Sequence, residues 1–286
     1  MKLIRYGAPG QEKPGLIDDT GALRDLSSVI VDIDAQVLGR DGLARIAAID
    51  PQTLPRVAGQ PRYGVPMAHV GKMICVGMNY AEHAAETHAP APEQPILFMK
   101  ATSAIVGAND DVVIPRDSVK TDWEVELGVV IGTPARSVSV EDALTHVAGY
   151  VVVNDLSERA FQLEHGGQWV KGKSCDTFGP LGPWLVTTDE IPDPQNLSLW
   201  LEVNGHRYQN GHTRTMIFGV AELVSYISRY MSLLPGDVIS TGTPAGVGLG
   251  QKPQVYLRRG DVIELGIEGL GRQRQQVCAH PDETTP

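Results

Sequence analysis

Asp122-Trp123-Glu124-Val125-Glu126-Leu127-Gly128-Val129-Val130-Ile131 is the stretch from which the fold is read. Its valines and isoleucine predict a strand over Glu124–Ile131. Residues two apart in a strand share a face, so Glu124 and Glu126 project together. Neighbouring carboxylates repel, and a hard divalent cation bound through oxygen relieves that repulsion. A strand with one solvated polar face is the commoner explanation of such spacing. The all-apolar run Leu127–Ile131 weighs against it, because strands buried on both faces read as unbroken hydrophobic stretches.

The rest of the chain agrees with a strand-rich protein. Its 286 residues include Gly 31 and Pro 20, with 42% hydrophobic and 20% charged residues. This excess of turn-formers beside a normal core supply excludes a long helical bundle, a coiled coil and a disordered chain. The formal charge of −10, with no dense Lys/Arg run, argues against a nucleic-acid binder. The N-terminus turns polar before a signal-peptide core could form, and no stretch approaches the ~18 apolar residues of a membrane span. Cys75, Cys175 and Cys278 are odd in number and widely spaced, which fits reduced thiols and a cytoplasmic protein without membrane contact.

Residues 1–70 read as a small N-terminal domain and linker, 71–280 as the main domain and 281–286 as a flexible tail. Strand pieces are expected at Lys2–Tyr6, Gly15–Ile17, Ala22–Leu26, Met73–Val76, Gly149–Asn154 and Leu199–Val203, the last followed by the hairpin signal Asn204-Gly205. Pro235–Ile239 and Arg259–Ile263 are similar turn-then-strand units. Helices are expected from Ser139 to about Val147 and from Gly219 to Leu233.

Four further segments can carry chemistry. In Gly149–Arg159 an apolar strand stops at Asp155, which reads either as a helix cap completed by Glu158 or as a third oxygen ligand at a strand end. A helix there would place Asp155, Arg159 and Gln162 on one side. In Gly77–Glu86, Asn79 is a candidate cap, and His83 and Glu86 are i, i+3 neighbours. A surface ion pair is the ordinary explanation; the alternative is a Glu that raises the basicity of a His able to take a proton from water, on a mobile lid over 77–95. Lys171 and Lys173, two apart, could meet an anion together. The loop Ser240–Gly250 looks like a phosphate loop but lacks GK[ST] and leads to no helix, so nucleotide binding is rejected, while a small carboxylate could still meet its backbone N–H groups. No HExxH, zinc spacing or GxSxG occurs.

Taken in order, six segments resemble the fumarylacetoacetate hydrolase family from about Lys72 to Gly269: Gly77-x-Asn79-Tyr80-x-x-His83-x-x-Glu86, Phe98-Met99-Lys100, Glu124-x-Glu126-Leu127, Asn154-Asp155-x-Ser157-x-Arg159, Gly172-Lys173-Ser174-x-Asp176-Thr177-Phe178-Gly179-Pro180 and Thr241-Gly242-Thr243-Pro244. The resemblance implies a mainly β (α+β) fold, the family's mixed β-roll with a small N-terminal domain. It implies Glu124, Glu126 and Asp155 as ligands of Mg²⁺ or Mn²⁺, and His83, Glu86 and Lys173 as catalytic residues. Arg159, Gln162 and Thr243 fall at substrate-binding positions, and a homodimer or higher homo-oligomer is expected.

The activity so implied is metal-assisted cleavage of a carbon–carbon bond in a 2,4-dioxo acid, giving pyruvate and a carboxylic acid. The GGQWVKGKSCDTFGPLGPW stretch is closest to relatives acting on 2,4-diketo-3-deoxy sugar acids. Ureidoglycolate lyase, and decarboxylation or isomerisation of 2-oxo dicarboxylic acids, are the alternatives. In each the partner is a small anionic 2-oxo acid or its like.

Overall fold

The computed structural model describes residues 1–86 and 90–280; the expected tail 281–286 and residues 87–89 of the expected lid lie outside the described residues. Every residue of the strand Val125–Ile131 is buried. Its alternation builds the core in two directions: Val125, Leu127, Val129 and Ile131 join one cluster, and Val130 a second. On that second face Gly128 lets the strands close up, since a Cβ there would lie 2.6 Å from Val151 and 2.7 Å from Val153.

Among the described residues this strand belongs to a ten-stranded mixed sheet. Its order is Leu23–Asp25, Lys13–Ile17, Lys2–Tyr6, Gly179–Thr187, Val147–Asn154, Val125–Ile131, Val238–Ser240, Met73–Gly77 and Ile96–Lys100, with Ile105–Gly107 branching from Gly179–Thr187. Val238–Ser240 runs parallel to Met73–Gly77, as Ile105–Gly107 does to Gly179–Thr187. The first face is covered by a five-stranded sheet of His206–His212, Ser198–Val203, Val262–Ile267, Gly271–Cys278 and Val112–Val113. Leu199, Leu201, Ile263 and Leu265 from it pack into the same cluster as Leu127, together with Leu223 and Ile227 of the helix Val220–Tyr230. The opposite face is covered by the N-terminal region through Leu26, Ile33, Val37, Leu38 and Met67. The first 70 residues thus extend the main sheet at one edge and close its back, with Leu3 paired to Leu185.

The mainly β expectation holds, and local signals are met where turn chemistry is strict. Asn204 and Gly205 take φ of 52° and 77° between Val203 and His206, the two left-handed residues of a tight hairpin. Two helices are shorter than expected. Ser139 caps only Val140–Ala143, a 3₁₀ turn follows, and Val147 already opens a strand opposite Ile131. The second helix stops at Tyr230 because Met231 is extended and Leu233 bridges to Ala135. In both places pairing with the sheet outcompetes one more helical turn. No described helix is long and apolar enough to cross a membrane.

Leu127 is fully buried between the sheets. Leu127→Ala is expected to cost about 2–5 kcal/mol, the range for a large core truncation, read as a lower urea midpoint at an unchanged slope.

Candidate active site

Antiparallel pairing brings two strand ends together. Asn154 lies opposite Val125, so Glu124 precedes one strand where Asp155 follows the other, and the Asp155 N–H donates to the Glu124 carbonyl at 2.9 Å. Glu124, Glu126 and Asp155 are buried, and each offers a carboxylate oxygen within 4.8 Å of the others. The alternative reading of Asp155 as a helix cap fails. Glu158 caps the helix Arg159–Leu163 by accepting from the Ala160 N–H, and Asp155 lies before that helix, so only Arg159 and Gln162 ride on it.

Cations fill much of the space between these acids. Lys173 Nζ donates to Glu124 Oε2 at 2.6 Å and to Asp155 Oδ2 at 2.9 Å. Lys100 donates to the other Asp155 oxygen and, at 2.8 Å, to the Leu156 carbonyl. Arg159 spreads its fork over Asp122 (Nε, 2.8 Å), Glu124 (Nη2, 2.7 Å) and Gln162 (Nη1, 3.1 Å), leaving two of its five N–H donors. Burial pushes the Glu124 carboxyl up, but Lys173 and Arg159 outweigh it and hold the group down to about 2. Burial pulls the Lys173 ammonium down, yet Asp155 and Glu124 leave it raised.

Glu126 is the exception. Its hydrogen-bond partners are neutral, Ser240 Oγ at 2.6 Å and the Gly242 N–H at 2.8 Å. Burial first, then the charges of Asp155 and Glu124, push its carboxyl well above the usual range. Among the described residues, the four bonded or clustered carboxylates Asp122, Glu124, Glu126 and Asp155 therefore face the three cations Lys100, Arg159 and Lys173, and the shortfall sits at Glu126. That is an observation a divalent cation fits. Three hard oxygen donors without sulfur are the set that Mg²⁺ or Mn²⁺ prefers, and a cation there would supply what Glu126 lacks.

The glycine-rich loop after Ser240 spends its N–H groups on the chain's own acids, which explains why it is no nucleotide cradle. Gly242 donates to Glu126, Gly246 to Glu86 at 3.0 Å, and Gly248 and Leu249 to Asp122 at 2.6 and 2.9 Å. Gly242 has φ of 97°, and a Cβ there would meet the Asn79 side chain at 2.7 Å, so a side chain is refused twice over. Asn79 is no helix cap. Its amide donates to the Phe218 and Thr241 carbonyls and its oxygen accepts from the Phe218 N–H, pinning the start of the helix Ala81–Glu86 to this loop.

On that helix His83 is buried, not a surface residue, and its Nδ1 lies 3.3 Å from Glu86 Oε2. His83 lines one cavity of about 210 Å³ with Glu124, Glu126, Arg159, Gln162, Lys173 and Thr243. Glu86 stands behind His83, against the loop. Lys171 departs from the expected pair: it is exposed on the helix Val170–Lys173, where its ammonium bonds the His165 carbonyl. Residues two apart on a helix diverge, whereas a strand would have kept the two lysines together.

Uncharged amides fix the frame, Asn154 from the main sheet and Gln209, Gln273 and Gln275 from the second. Asn154 accepts from the Glu124 N–H and donates to Gln275, which is bonded in turn to Gln273. Gln209 accepts from the Val125 N–H and donates to Thr243 Oγ1, whose own proton goes to the Val125 carbonyl. The Thr243 hydroxyl thus has no proton left for a substrate carboxylate; only a lone pair faces outward.

Lys100, Asp122, Ser240 and Gln209 had no assigned role in the sequence reading. Lys100 carries a signal, as a lysine ending the apolar strand Ile96–Lys100. Asp122 does too, since a buried acid one residue before Trp123 needs a partner. Ser240 and Gln209 follow no spacing rule. Asp122 collects three donors from the loop and Arg159, and an asparagine offers one acceptor oxygen instead of two. Asp122→Asn is expected to destabilise by about 3–5 kcal/mol and to speed amide exchange at Gly248 and Leu249, measurable by hydrogen-exchange mass spectrometry.

Residues 72–278 match the family model described as fumarylacetoacetate (FAA) hydrolase C-terminal. A Burkholderia multivorans protein with only a provisional hydrolase name is 62% identical over 280 residues, covering 98% of this chain and 99% of its own. The fumarylacetoacetate hydrolase of Exiguobacterium antarcticum is 38% identical, with a TM-score of 0.88 over 98% of this chain and 100% of its own. Maleylpyruvate hydrolase from Sphingobium sp. SYK-6, solved with manganese(II) and pyruvate, is 28% identical, with a TM-score of 0.81 over 98% and 99%. A Mycobacterium marinum structure named 2-hydroxyhepta-2,4-diene-1,7-dioate isomerase is 33% identical, with a TM-score of 0.74 over 99% and 100%.

Proposed function

The chain belongs to the fumarylacetoacetate hydrolase family, whose solved members similar to it carry hydrolase and isomerase names, and we propose that it hydrolyses a carbon–carbon bond of a 2,4-dioxo acid to pyruvate and a carboxylic acid. The observation that carries this reading is the buried Glu124–Glu126–Asp155 cluster on the cavity that His83 also lines. The relative solved with manganese(II) and pyruvate supports the choice of metal and product.

Glu124, Glu126 and Asp155 would hold Mg²⁺ or Mn²⁺, which when bound supplies Lewis acidity to a carbonyl and charge stabilisation to the departing half. The chain's own groups do the rest. Arg159 turns its remaining N–H donors, and Gln162 its amide, to the substrate carboxylate. Glu86 accepts from His83 Nδ1–H, which leaves Nε2 as the base that takes a proton from water. The water oxygen joins the distal C4 carbonyl, Lys173 donates to the oxygen that becomes negative there, and the C3–C4 bond breaks. The electron pair goes to C3, which takes up a proton to become the methyl group of pyruvate. Charge supports an anionic substrate: with four acids against three cations, a dication leaves one positive charge for one carboxylate. Homodimer formation belongs to the same proposal.

Release of pyruvate from 2,4-dioxo acids, followed by a coupled assay with Mn²⁺, tests the reaction. Glyoxylate from ureidoglycolate, or enol absorbance changing without pyruvate, would favour the lyase or isomerase instead. His83→Ala is expected to lower kcat by about 10²–10⁴-fold while Mn²⁺ affinity stays the same. Mn²⁺ at one hundred times its Kd is expected to stabilise the native protein by about 2.7 kcal/mol, and Glu126→Gln to abolish both this gain and the calorimetric binding.

A further inference from the structure

The cavity has a second character away from its acids. Phe98 carries Lys173 Nζ at 5.1 Å from its ring centre, so an aromatic face begins where the charged cluster ends. Trp169 stands edge-on to Phe98, with ring centres 5.2 Å apart and planes at 66°. The indole can lie there because position 77 is glycine: a Cβ on Gly77 would come within 2.6 Å of Trp169 Cζ3. Leu249 and Leu163 also line the cavity, and Leu163 is 46% exposed among the described residues. Phe98, Leu163 and Leu249 bring no donor or acceptor, and Trp169 brings only its indole N–H. The lining cations Arg159 and Lys173 are bonded to Asp122, Glu124 and Asp155, and in the proposed reaction what they have left goes to the substrate carboxylate and the C4 oxygen, not to an acyl chain.

We infer that Phe98 and Trp169, with Gly77 setting the position of the indole, make this end of the cavity a subsite for an uncharged apolar acyl group, and against a polyhydroxylated chain. The inference rests on the proposed 2,4-dioxo acid reading and sharpens its substrate class. An alkyl or aryl substituent on the C4 carbonyl would cover the exposed Leu163 and lie along the two rings. A sugar-derived chain of equal length would have its hydroxyls stripped of water against side chains that return almost no hydrogen bonds. The expected sugar-acid substrate is therefore the less suitable of the two classes.

The test uses the full chain with Mn²⁺ and binding of simple 2-oxo acids, which lack the 4-oxo group and cannot be split. Calorimetric Kd values are compared for pyruvate, 2-oxobutanoate, 2-oxopentanoate, 2-oxohexanoate and 5,6-dihydroxy-2-oxohexanoate. Affinity is expected to rise about threefold per methylene that reaches the subsite, and the dihydroxy acid to bind on the order of tenfold more weakly than 2-oxohexanoate. Trp169→Ala should flatten the series and Trp169→Phe should keep it; Gly77→Ala, which displaces the indole, should flatten it while pyruvate still binds. A native series that is flat or too weak to measure, or tighter binding of the dihydroxy acid, overturns the subsite whatever the variants do. Pyruvate release from 2,4-dioxo acids is scored separately. A rising series without turnover refutes the hydrolase reading alone, and turnover with a flat series refutes the subsite alone.

Discussion

The carboxylate of Glu126 is held in a dry place without a cation of its own, and most of the site is a response to that. The strand it belongs to is buried on both faces, so an acid near its start meets no bulk solvent and faces only the active-site cavity. Isolated burial of a carboxylate is costly enough that charge, proton or hydrogen bonds must answer it. Lys100, Lys173 and Arg159 answer for Asp155, Glu124 and Asp122; Ser240 and Gly242 answer for Glu126 only with neutral donors. A divalent cation completes the set, which is why the metal reading follows from electrostatics as well as from family membership.

Much of this was legible in the sequence because it depends on short-range rules. A period of two put Glu124 and Glu126 on one face, and an apolar strand ending at Asp155 put a third acid within reach. The i, i+3 pair His83 and Glu86 was equally local. What the sequence did not disclose is set by distance along the chain. Asp122 meets Gly248 across 126 residues, and Gln209 meets Thr243 across 34. No periodicity encodes such partners. The same limit explains the helix ends: Val147 and Met231 look helical in their own segments and are claimed by Ile131 and by the neighbourhood of Ala135.

The glycine-rich loop shows how a pattern can be right about chemistry and wrong about the ligand. Closely spaced glycines do expose backbone N–H groups suited to anions. Here those anions are Glu86, Asp122 and Glu126, side chains of the same chain. The loop is thereby a clasp that joins the helix bearing His83 to the strand end bearing the acids. Substrate selectivity then falls to Phe98, Trp169 and their neighbours rather than to the loop's backbone.

The amides of Asn154, Gln209, Gln273 and Gln275 have one property that the ionic groups around them lack: none gains or loses a proton in ordinary buffers. The backbone of Glu124 and the hydroxyl of Thr243 are therefore aligned by contacts that acid leaves untouched. Protonation at Glu126, whose carboxyl burial and its acidic neighbours push up, changes the charge of the site inside a frame that keeps its shape. Loss of function by that route is a change of charge rather than of architecture, and neutralisation reverses it without refolding.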